Sequence, residues 1–250
     1  MSAGLRNYSF EDYVTEANQA RDVDTLFSIF LKTVAQHGLD RAIFSLSTDH
    51  HDIGQEADFG IVHNYPESWL KYYSSNNLKY IDPVMLYGAT QIDTFSWDDI
   101  PKRILLSRKQ KLCLDMGDEA GLRNGVCTPL RGPQNQLAGI ALATTERKDA
   151  FDGNVDMVNA YCNHFYIAYK RILRRKTQEQ EQEQNIVLTD KEREVLKWAA
   201  LGKTDTEIGL ILNMSKNTVD SHMRKVFRKL EANNRVLAVV KAITLGLVHL

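Results

Sequence analysis

The last quarter of the chain carries its most regular pattern of apolar and polar residues. Between residues 188 and 230, one set of apolar residues recurs at intervals of four, three and four: Val219, Met223, Val226 and Leu230. This spacing predicts a helix with one buried stripe. S/T-x-x-E capping boxes that begin at Thr189 and Thr204 predict the starts of two preceding helices. Ser215 is suited to cap the third helix.

The other face of this third helix is polar and basic. Its candidate DNA-binding residues are Lys216, Asn217, Thr218, Asp220, Ser221, Arg224, Lys225 and Arg228. Long donors among them suit phosphates and base edges. A solvated helix face is the alternative interpretation, but two capped helices at helix-turn-helix spacing favour DNA binding. Residues 188–250 also hold 11 Lys and Arg against 7 Asp and Glu, whereas the rest of the chain holds 20 against 25.

This segment resembles a known module. LTDKEREVLKWAALGKTDTEIGLIL, followed by SKNTVDSHMRKVFRKL, is similar to the DNA-binding domain of LuxR-type transcription factors. The resemblance implies an all-α, four-helix helix-turn-helix domain at residues 188–250. The fourth helix has an apolar stripe of its own: Val236, Val240, Ile243 and Leu247. Packing within the domain and a dimer contact are both open interpretations of that stripe.

Residues 1–173 show shorter patterns with helical and strand spacing. Helices are predicted as a pair within 9–37 and singly at 65–73, 104–120 and 151–174, with a short helix or turn at 82–91. Strands are predicted at 41–48 and 57–64, and as a hairpin at 124–132 and 136–145. This order favours an α+β fold in which helices cover both faces of an antiparallel sheet.

A segment with few apolar residues separates the two predicted domains. RRKTQEQEQEQN, residues 174–185, is rich in Glu and Gln. A hinge or an exposed extension of the preceding helix are the alternatives, and we expect an exposed linker at 174–187. The sequence therefore predicts a sensor domain at 1–173 and a DNA-binding domain at 188–250.

Missing motifs exclude several classes of protein. The chain has no Walker loop, no acidic cluster typical of a phospho-receiver domain and no catalytic motif, so we expect no enzyme. Cys113, Cys127 and Cys162 lack disulfide or zinc spacing, and His50 and His51 form the only histidine pair, so we expect neither a metal nor a cofactor. The sequence shows no signal peptide and no membrane-spanning run, which predicts a cytoplasmic protein with no membrane partner.

An aromatic cluster with one acid stands out in the predicted sensor domain. Tyr65, Trp69 and Tyr73 step by four, so on a helix they share a face. Asp82 and Trp97 follow along the chain. One interpretation is an aromatic core with a capping aspartate. The other is a mostly apolar pocket in which a few polar groups orient a small molecule.

The motif N-Y-P-x-x-W-x-x-x-Y, followed by D-P, W and G, resembles the autoinducer-binding domain of LuxR-type quorum-sensing regulators. The resemblance implies an α-β-α sandwich that encloses an N-acyl-homoserine lactone. It implies that Trp69 donates to the lactone carbonyl, Asp82 accepts from the ligand amide and Tyr65 donates to the acyl carbonyl. Tyr73 and Trp97 would wall the pocket. Because a buried carboxylate without a partner is costly, a ligand that satisfies Asp82 would couple binding to folding.

Three further positions are candidate ligand contacts. Gly125 matches a family glycine at the start of the following strand, where a backbone comes close. Many family members bond the acyl carbonyl with a Ser or Thr on the last sheet strand, but alignment puts Ala141 there. Thr128 and Thr144 are candidate substitutes for that hydroxyl. Cys127 is either a residue of the pocket wall or a core thiol.

Together the two resemblances imply a ligand-responsive transcription factor. They imply a homodimer that binds an inverted-repeat operator in double-stranded DNA, with half-sites about one helical turn apart or a multiple of it. RNA polymerase is a further candidate partner. Two polarities are open, since a ligand could promote or abolish DNA binding. A sensor that uses another ligand, or works through protein partners, is the alternative.

Overall fold

A five-stranded antiparallel sheet forms the centre of the first part of the chain. In the computed structural model its strands are β1 (Arg41–Leu46), β2 (Asp58–His63), β3 (Phe95–Ser96), β4 (Arg123–Arg131) and β5 (Leu137–Thr144), in the order β2-β1-β5-β4-β3. The structure describes residues 8–146, 153–180 and 188–248. It divides into one unit within residues 1–176 and a second made mainly of residues 177–250.

Helices lie on both faces of the sheet in the first unit. They are α1 (Phe10–Gln19), α2 (Val23–Ala35), α3 (Glu67–Ser75), α4 (Pro83–Gly88), α5 (Ile100–Arg103), α6 (Arg108–Glu119) and α7 (Val155–Gln180). The predicted fold class, an antiparallel sheet between helical layers, is confirmed. No helix in the described ranges is long and apolar enough to cross a membrane.

Alternating side chains along the strands divide the unit into two layers. On β1, Phe44 and Leu46 pack with α1, α2 and α7 in the largest core. Ile43 faces the opposite side and packs with residues of α3 and α6. The same alternation on β5 places Ile140 in the first layer and Ala141 in the second. Neighbouring residues of one strand therefore belong to different layers.

Several boundaries differ from the predicted ones. Helix α6 begins at Arg108 and not at residue 104, because the Ser107 hydroxyl accepts the Gln110 N–H (3.3 Å) and caps the helix there. Strand β3 and helix α5 were not predicted, since elements of two to four residues show no periodicity. The Asn154 side chain accepts the Met157 N–H (3.0 Å) at the start of α7. The predicted start at residue 151 lies outside the described residues.

Helix α7 also runs further than predicted. It continues through Gln180, so residues 174–180 of the expected linker are helical. The helical extension, which was the alternative interpretation of this segment, is therefore correct for that part. Residues 181–187 of the expected linker lie outside the described residues.

A cluster of charged side chains holds α7 beside the loop that follows β1. Lys170, almost fully buried, and Arg174 contact the Asp52 carboxylate at 2.9 and 2.6 Å. The Gln136 side chain donates to the same carboxylate (2.7 Å). Burial acts to raise the pKa of Asp52, but these partners outweigh it and lower the pKa to about 2. No sequence pattern predicted this cluster, because its members lie far apart along the chain.

The second unit contains α8 (Asp190–Ala200), α9 (Asp205–Leu212), α10 (Lys216–Lys229) and α11 (Arg235–Thr244). Both predicted capping boxes are present, at Thr189 and Thr204. Ser215 caps α10 by accepting the Thr218 N–H (3.1 Å). The predicted stripe of α10 is fully buried, with Val219, Met223, Val226 and Leu230 at most 3% exposed.

The predicted stripe of α11 is only partly packed within this unit. Val236 and Val240 are 73% and 53% exposed, so they do not pack within this unit. Ala238 and Ala242 are the residues of α11 that are fully buried. The spacing of apolar residues predicted that the valines face the core. The alanines face it instead, because small side chains allow α11 to pack closely against its neighbours. The packing interpretation therefore fails for the two valines.

An ion pair with a buried carboxylate joins the start of α8 to the end of α10. The Glu192 carboxylate accepts the Thr189 N–H (2.9 Å) and pairs with Lys229 (2.6 Å) at the end of α10. Burial acts to raise the pKa of Glu192, but the bonds from Lys229 and Thr189 outweigh it and lower the pKa. Because the folded-state pKa is lowered, this pair stabilises above the ordinary glutamate pKa, and the contribution is lost as the pH falls through the folded-state pKa.

The turn between α9 and α10 requires a left-handed residue. Asn213 ends α9 with a φ of 52°, a conformation that Asn tolerates and most other residues do not. We expect Asn213→Ala to destabilise the second unit by about 1–2 kcal/mol. Asn213→Gly, which removes the strain, should keep or raise its stability. Amide hydrogen exchange of residues 188–248 in the full chain measures both effects, and equal exchange in the two variants would contradict this account.

Candidate functional site

A cavity with an opening to solvent lies between the second face of the sheet and helices α3, α4 and α6. Counted with its opening, it holds about 690 Å³ free of protein atoms. Its polar lining groups are Ser45, Ser47, Tyr65, Trp69, Tyr73, Asp82 and Trp97. Its other walls come from Ile43, Phe59, Val84, Met85, Cys113, Leu114, Gly117, Leu122, Cys127, Gly139 and Ala141. We call this space the sheet cavity.

The predicted ligand residues converge on the sheet cavity. Seven of the eight line it directly, namely Tyr65, Trp69, Tyr73, Asp82, Trp97, Cys127 and Ala141. The eighth, Gly125, lies directly behind Trp97. The sequence did not single out Cys113 or the two serines on and after β1. Strand alternation placed those serines on one face, but only the tertiary structure shows that this face borders a cavity.

Helix α3 directs two of the aromatic side chains inward. Trp69 and Tyr73 are one helical turn apart and both are buried. The Tyr73 ring stacks on Phe59 of β2, with ring centroids 4.4 Å apart and planes only 4° apart. Tyr65 precedes α3, and its hydroxyl donates to the Ala141 carbonyl over 3.3 Å. That long bond leaves the Tyr65 hydroxyl able to find a better acceptor.

Asp82 is held by two protein donors. As the residue before α4, it accepts the Val84 N–H at Oδ1 (2.8 Å) and caps that helix. The Tyr73 hydroxyl donates to Oδ2 (2.8 Å). The expectation that Asp82 has no partner without a ligand is therefore wrong, and Tyr73 does more than wall the cavity. A carboxylate has about four acceptor positions, so Asp82 can still accept from another donor.

Burial changes the proton affinities of the cavity groups. It raises the pKa of Asp82, although hydrogen bonds from Tyr73, Val84 and Met85 act in the opposite direction. Burial likewise raises the pKa of Tyr65 and of Tyr73, so both hydroxyls keep their protons and can donate.

The thiols beside the cavity are neutral. Burial raises the pKa of Cys127 and raises that of Cys113 to about 12, and the charge of Asp82 adds to both shifts. Since the thiolate is the nucleophile, these thiols line the wall as small apolar groups. The sheet cavity is therefore built for binding and has no activated nucleophile among its described lining residues.

Gly125 makes room for a ring. A Cβ atom at Gly125 would lie 2.3 Å from the Trp97 indole, well inside any allowed contact. The expected close approach at this glycine is therefore made by a side chain and not by a backbone. The indole Nε1 of Trp97 is buried and has no hydrogen-bond partner among the described residues.

The two candidate substitutes for a hydroxyl at Ala141 do not reach the cavity. The Thr128 hydroxyl bonds the Thr94 hydroxyl (2.7 Å), and the Thr144 hydroxyl accepts the Glu146 N–H (3.1 Å). Neither residue lines the sheet cavity. Both alternatives are therefore wrong, because strand alternation turns these side chains to the opposite layer.

The predicted DNA-binding face of α10 is mostly accessible. Its exposed members are Lys216, Asn217, Thr218, Ser221, Arg224, Lys225 and Arg228, and Asp220 is half-buried. Arg224 pairs with Asp220 one turn earlier (3.0 Å). The Thr218 hydroxyl bonds Ser215 (2.8 Å) at the start of the helix. Lys216, Lys225 and Arg228 are exposed and form no ion pair with a described residue.

The histidine pair of the sequence is separated by the fold. His50 is fully buried, and its ring nitrogens bond the Thr48 carbonyl (2.8 Å) and the Tyr166 hydroxyl (2.7 Å). His51 is exposed. Within the described residues no group of three or more His, Cys, Asp or Glu side chains could hold a metal ion.

Comparison with known proteins gives the same two-part division. The family described as "Autoinducer binding domain" matches residues 22–168, and "Bacterial regulatory proteins, luxR family" matches residues 186–242. The quorum sensing-dependent transcriptional regulator RpaR of Rhodopseudomonas palustris is 35% identical over 193 residues, covering 76% of this chain and 75% of RpaR. The quorum-sensing regulator RhlR of Pseudomonas aeruginosa is 27% identical over 240 residues, covering 94% of each chain.

A solved structure has a similar fold. The crystal structure of Escherichia coli SdiA superposes with a TM-score of 0.71 and 22% sequence identity, covering 96% of this chain and 98% of that one. At this identity the likeness concerns the fold alone.

The contact between Gly125 and Trp97 generates a test of the cavity wall. We expect Gly125→Ala to displace the indole and destabilise the first unit by about 1–3 kcal/mol. Gly139→Ala is the matched control, because its Cβ would meet only the Thr128 carbonyl oxygen at 3.8 Å. Thermal unfolding and tryptophan fluorescence measure the two effects. Equal melting temperatures of both variants would contradict the close contact.

Proposed function

This chain belongs to the LuxR-type quorum-sensing transcriptional regulators, with an autoinducer-binding domain followed by a luxR-family DNA-binding domain, and from that premise we propose that it senses an N-acyl-homoserine lactone and binds an inverted-repeat operator as a dimer. The sheet cavity carries this proposal. A mostly apolar cavity with a few convergent polar groups is the usual form of a small-molecule site. An acyl chain fits the apolar walls, and a lactone with its amide fits the polar end.

Each polar group has a proposed role in ligand recognition. Trp69 donates its indole N–H to the lactone carbonyl, and Asp82 accepts from the ligand amide. Tyr65 exchanges its long bond with the Ala141 carbonyl for the acyl carbonyl. Tyr73 orients the Asp82 carboxylate through their 2.8 Å bond, which supports the assignment because an acceptor must be fixed before it can select a donor. Trp97, whose indole packs against Gly125, forms part of the cavity wall.

Ligand binding would also relieve a cost within the fold. Because burial raises the pKa of Asp82, this group contributes most stability below its unfolded pKa, and that contribution is lost as the pH rises through the folded-state pKa. Ionisation of the Asp82 carboxylate therefore costs stability. A ligand N–H that donates to it offsets the cost, and a ligand that binds only the folded state stabilises it in proportion to its concentration.

The second unit supports the proposal for DNA. The buried stripe of α10 leaves its basic face outward, as a helix in the major groove requires. On α11, Val236 and Val240 form an exposed apolar pair one turn apart, which supports a dimer contact. We therefore propose a sensor domain at 1–173, a linker at 174–187 whose first part to Gln180 is helical, and a DNA-binding domain at 188–250. Double-stranded DNA is the proposed partner, and RNA polymerase is a further one.

Melting temperatures with a panel of lactones test the ligand proposal. We expect at least one N-acyl-homoserine lactone to raise the melting temperature of the full chain. Asp82→Asn should weaken lactone affinity at least about tenfold, because it removes a charged acceptor. The same variant should melt at an equal or higher temperature without ligand, because Asn still caps α4 and carries no buried charge.

Asp115→Asn is the matched control for this experiment, since Asp115 is exposed on α6 outside the cavity. It should leave lactone affinity unchanged. If no lactone shifts the wild-type melting temperature, the ligand is of another class. If Asp82→Asn binds lactones as wild type does, the role of Asp82 is wrong.

Substitutions on α10 test the DNA proposal. We expect Arg224→Ala and Lys225→Ala each to lower affinity for an operator selected from random duplexes by the wild-type protein. Each lost phosphate contact should reduce the salt slope by about 0.9. Lactone-induced melting shifts should stay unchanged. Lys102→Ala, which removes an exposed cation of the first unit, is the charge-matched control, and an equal effect of all three substitutions would contradict a DNA-contacting face.

A further inference from the structure

A strongly basic segment lies on the surface of the first unit, from α5 into the start of α6. Residues 100–114 contain five cations and no Asp or Glu, whereas residues 1–187 as a whole hold 20 Lys and Arg against 25 Asp and Glu. All five cations are exposed: Lys102, Arg103, Arg108, Lys109 and Lys111. Lys102 pairs with Asp99 (2.9 Å), and the other four form no ion pair with a described residue. We call residues 101–112 the basic segment.

The basic segment also exposes large aliphatic side chains. Leu105, in the short connection between α5 and α6, is 97% exposed. Leu112 is 56% exposed and Ile104 is 38% exposed. A single exposed leucine is ordinary on a protein surface, but three aliphatic side chains among five cations make a segment that is both apolar and basic. This combination is typical of surfaces that enter the interface of a lipid bilayer.

Helix α6 carries its cations at the end that disfavours them. Arg108, Lys109 and Lys111 lie in its first turn, and Asp118 and Glu119 lie in its last. The start of a helix has a partial positive charge and its end a partial negative one, so these charges repel the ends at which they lie. The cations therefore weaken the helix that carries them, which favours a role for them outside folding.

The start of α6 presents its positive charge away from the protein. Arg108 and Lys111 are three residues apart and share a face. Cys113 and Gly117 are buried on the other side of the helix, where both line the sheet cavity. Asp115 is the first acid on the outer face. The start of the helix, and not its whole length, is therefore the basic part.

An anionic lipid surface fits both properties of the basic segment. Each Lys or Arg near such a surface is attracted to the headgroups, and an exposed aliphatic side chain gains by leaving water. A nucleic-acid backbone would attract the cations but would leave Leu105 in water, so it accounts for the charges alone. The predicted absence of a membrane partner rested on the lack of a membrane-spanning run, and binding at a lipid surface needs no such run.

We propose that the basic segment docks the protein reversibly on an anionic lipid surface, with Leu105 inserted among the headgroups and the cations beside the lipid phosphates. This inference goes beyond the proposed function and does not depend on it. The docking surface belongs to a different unit from α10, and no residue of the basic segment lines the sheet cavity.

Co-sedimentation of the full chain with vesicles tests this inference. Vesicles of phosphatidylcholine and phosphatidylglycerol in a ratio of about 2:1 should bind the protein at least about tenfold more strongly than vesicles of phosphatidylcholine alone. Salt at about 0.5 M should weaken that binding, because it screens the attraction. Equal sedimentation with and without anionic vesicles would overturn the proposal.

Paired substitutions of equal charge locate the contact. Lys109→Gln with Lys111→Gln should lower binding to the anionic vesicles about tenfold or more. Arg21→Gln with Lys32→Gln is the matched control, because it removes the same charge from exposed positions at α2, which packs on the other face of the sheet. The control pair should leave vesicle binding nearly unchanged, and an equal effect of both pairs would contradict a local docking surface.

The cations of α10 are attracted to anionic vesicles for the same electrostatic reason, so they are tested separately. Arg224→Gln with Lys225→Gln should lower vesicle binding much less than Lys109→Gln with Lys111→Gln. The opposite order of effects would assign the lipid contact to the second unit and overturn the proposal.

Leu105→Ser tests insertion into the lipid. It should lower vesicle binding about three- to tenfold. The ligand-free melting temperature should stay unchanged, because a side chain that is 97% exposed has little packing to lose. Leu210→Ser, at an 80% exposed leucine of the second unit, is the matched control and should not alter binding. Vesicle binding that survives Leu105→Ser unchanged would indicate a site for polyanions such as duplex DNA and overturn the lipid proposal.

Melting shifts with lactones separate this inference from the proposed function. The Leu105 and Lys109–Lys111 variants should keep the wild-type shift, since these positions lie outside the sheet cavity. Loss of vesicle binding in wild type would overturn this inference alone, and absence of every lactone shift would overturn the proposed ligand alone.

Discussion

The first unit depends on the two-residue alternation of side chains along its central strands. On β1, Phe44 faces one layer and packs against aromatic residues of α7, whereas Ser45 faces the other. Gly139 and Ala141 of β5 face the same way as Ser45, and their small size leaves space beside the sheet. A shift of register by one residue would move Phe44 into the cavity and Ser45 into the main core. The packed layer therefore fixes the register, and the register in turn creates the cavity. The largest core and the cavity therefore lie on opposite faces of the same strands.

Within that cavity the polar groups are positioned by the protein itself. Asp82 caps α4 and accepts the Tyr73 hydroxyl, so its carboxylate has a fixed orientation before any ligand arrives. Tyr73 in turn stacks on Phe59, which ties the acceptor to β2. Burial keeps the tyrosine hydroxyls and the neighbouring thiols protonated, so the site offers donors, one carboxylate and apolar surface, but no reactive group. This chemistry belongs to recognition, in agreement with a family of regulators and not of enzymes.

The two faces of α10 in the second unit differ, since one packs in the core and the other is exposed and basic. The inward residues of α10 complete an apolar core, and Lys229 at its end pairs with the buried Glu192 of α8. The tight turn at Asn213 sets the angle between α9 and α10. Apart from the exposed pair between Arg224 and Asp220, the outward cations of α10 form no ion pair with a described residue. The same principle applies as in the sheet, since the face that packs determines what the other face can present.

The sequence by itself determined the elements whose signals are local. Capping boxes such as that at Thr189 and the helical spacing of Trp69 and Tyr73 depend on residues within one or two turns, so pattern reasoning found them. The tertiary structure alone decided which faces meet. It paired Asp82 with Tyr73, placed Thr128 outside the cavity and Ser45 within it, and left Val236 exposed. These outcomes depend on strand register and helix packing between residues far apart along the chain. The sequence alone does not give those distances. Patterns within one or two turns therefore could not predict these contacts.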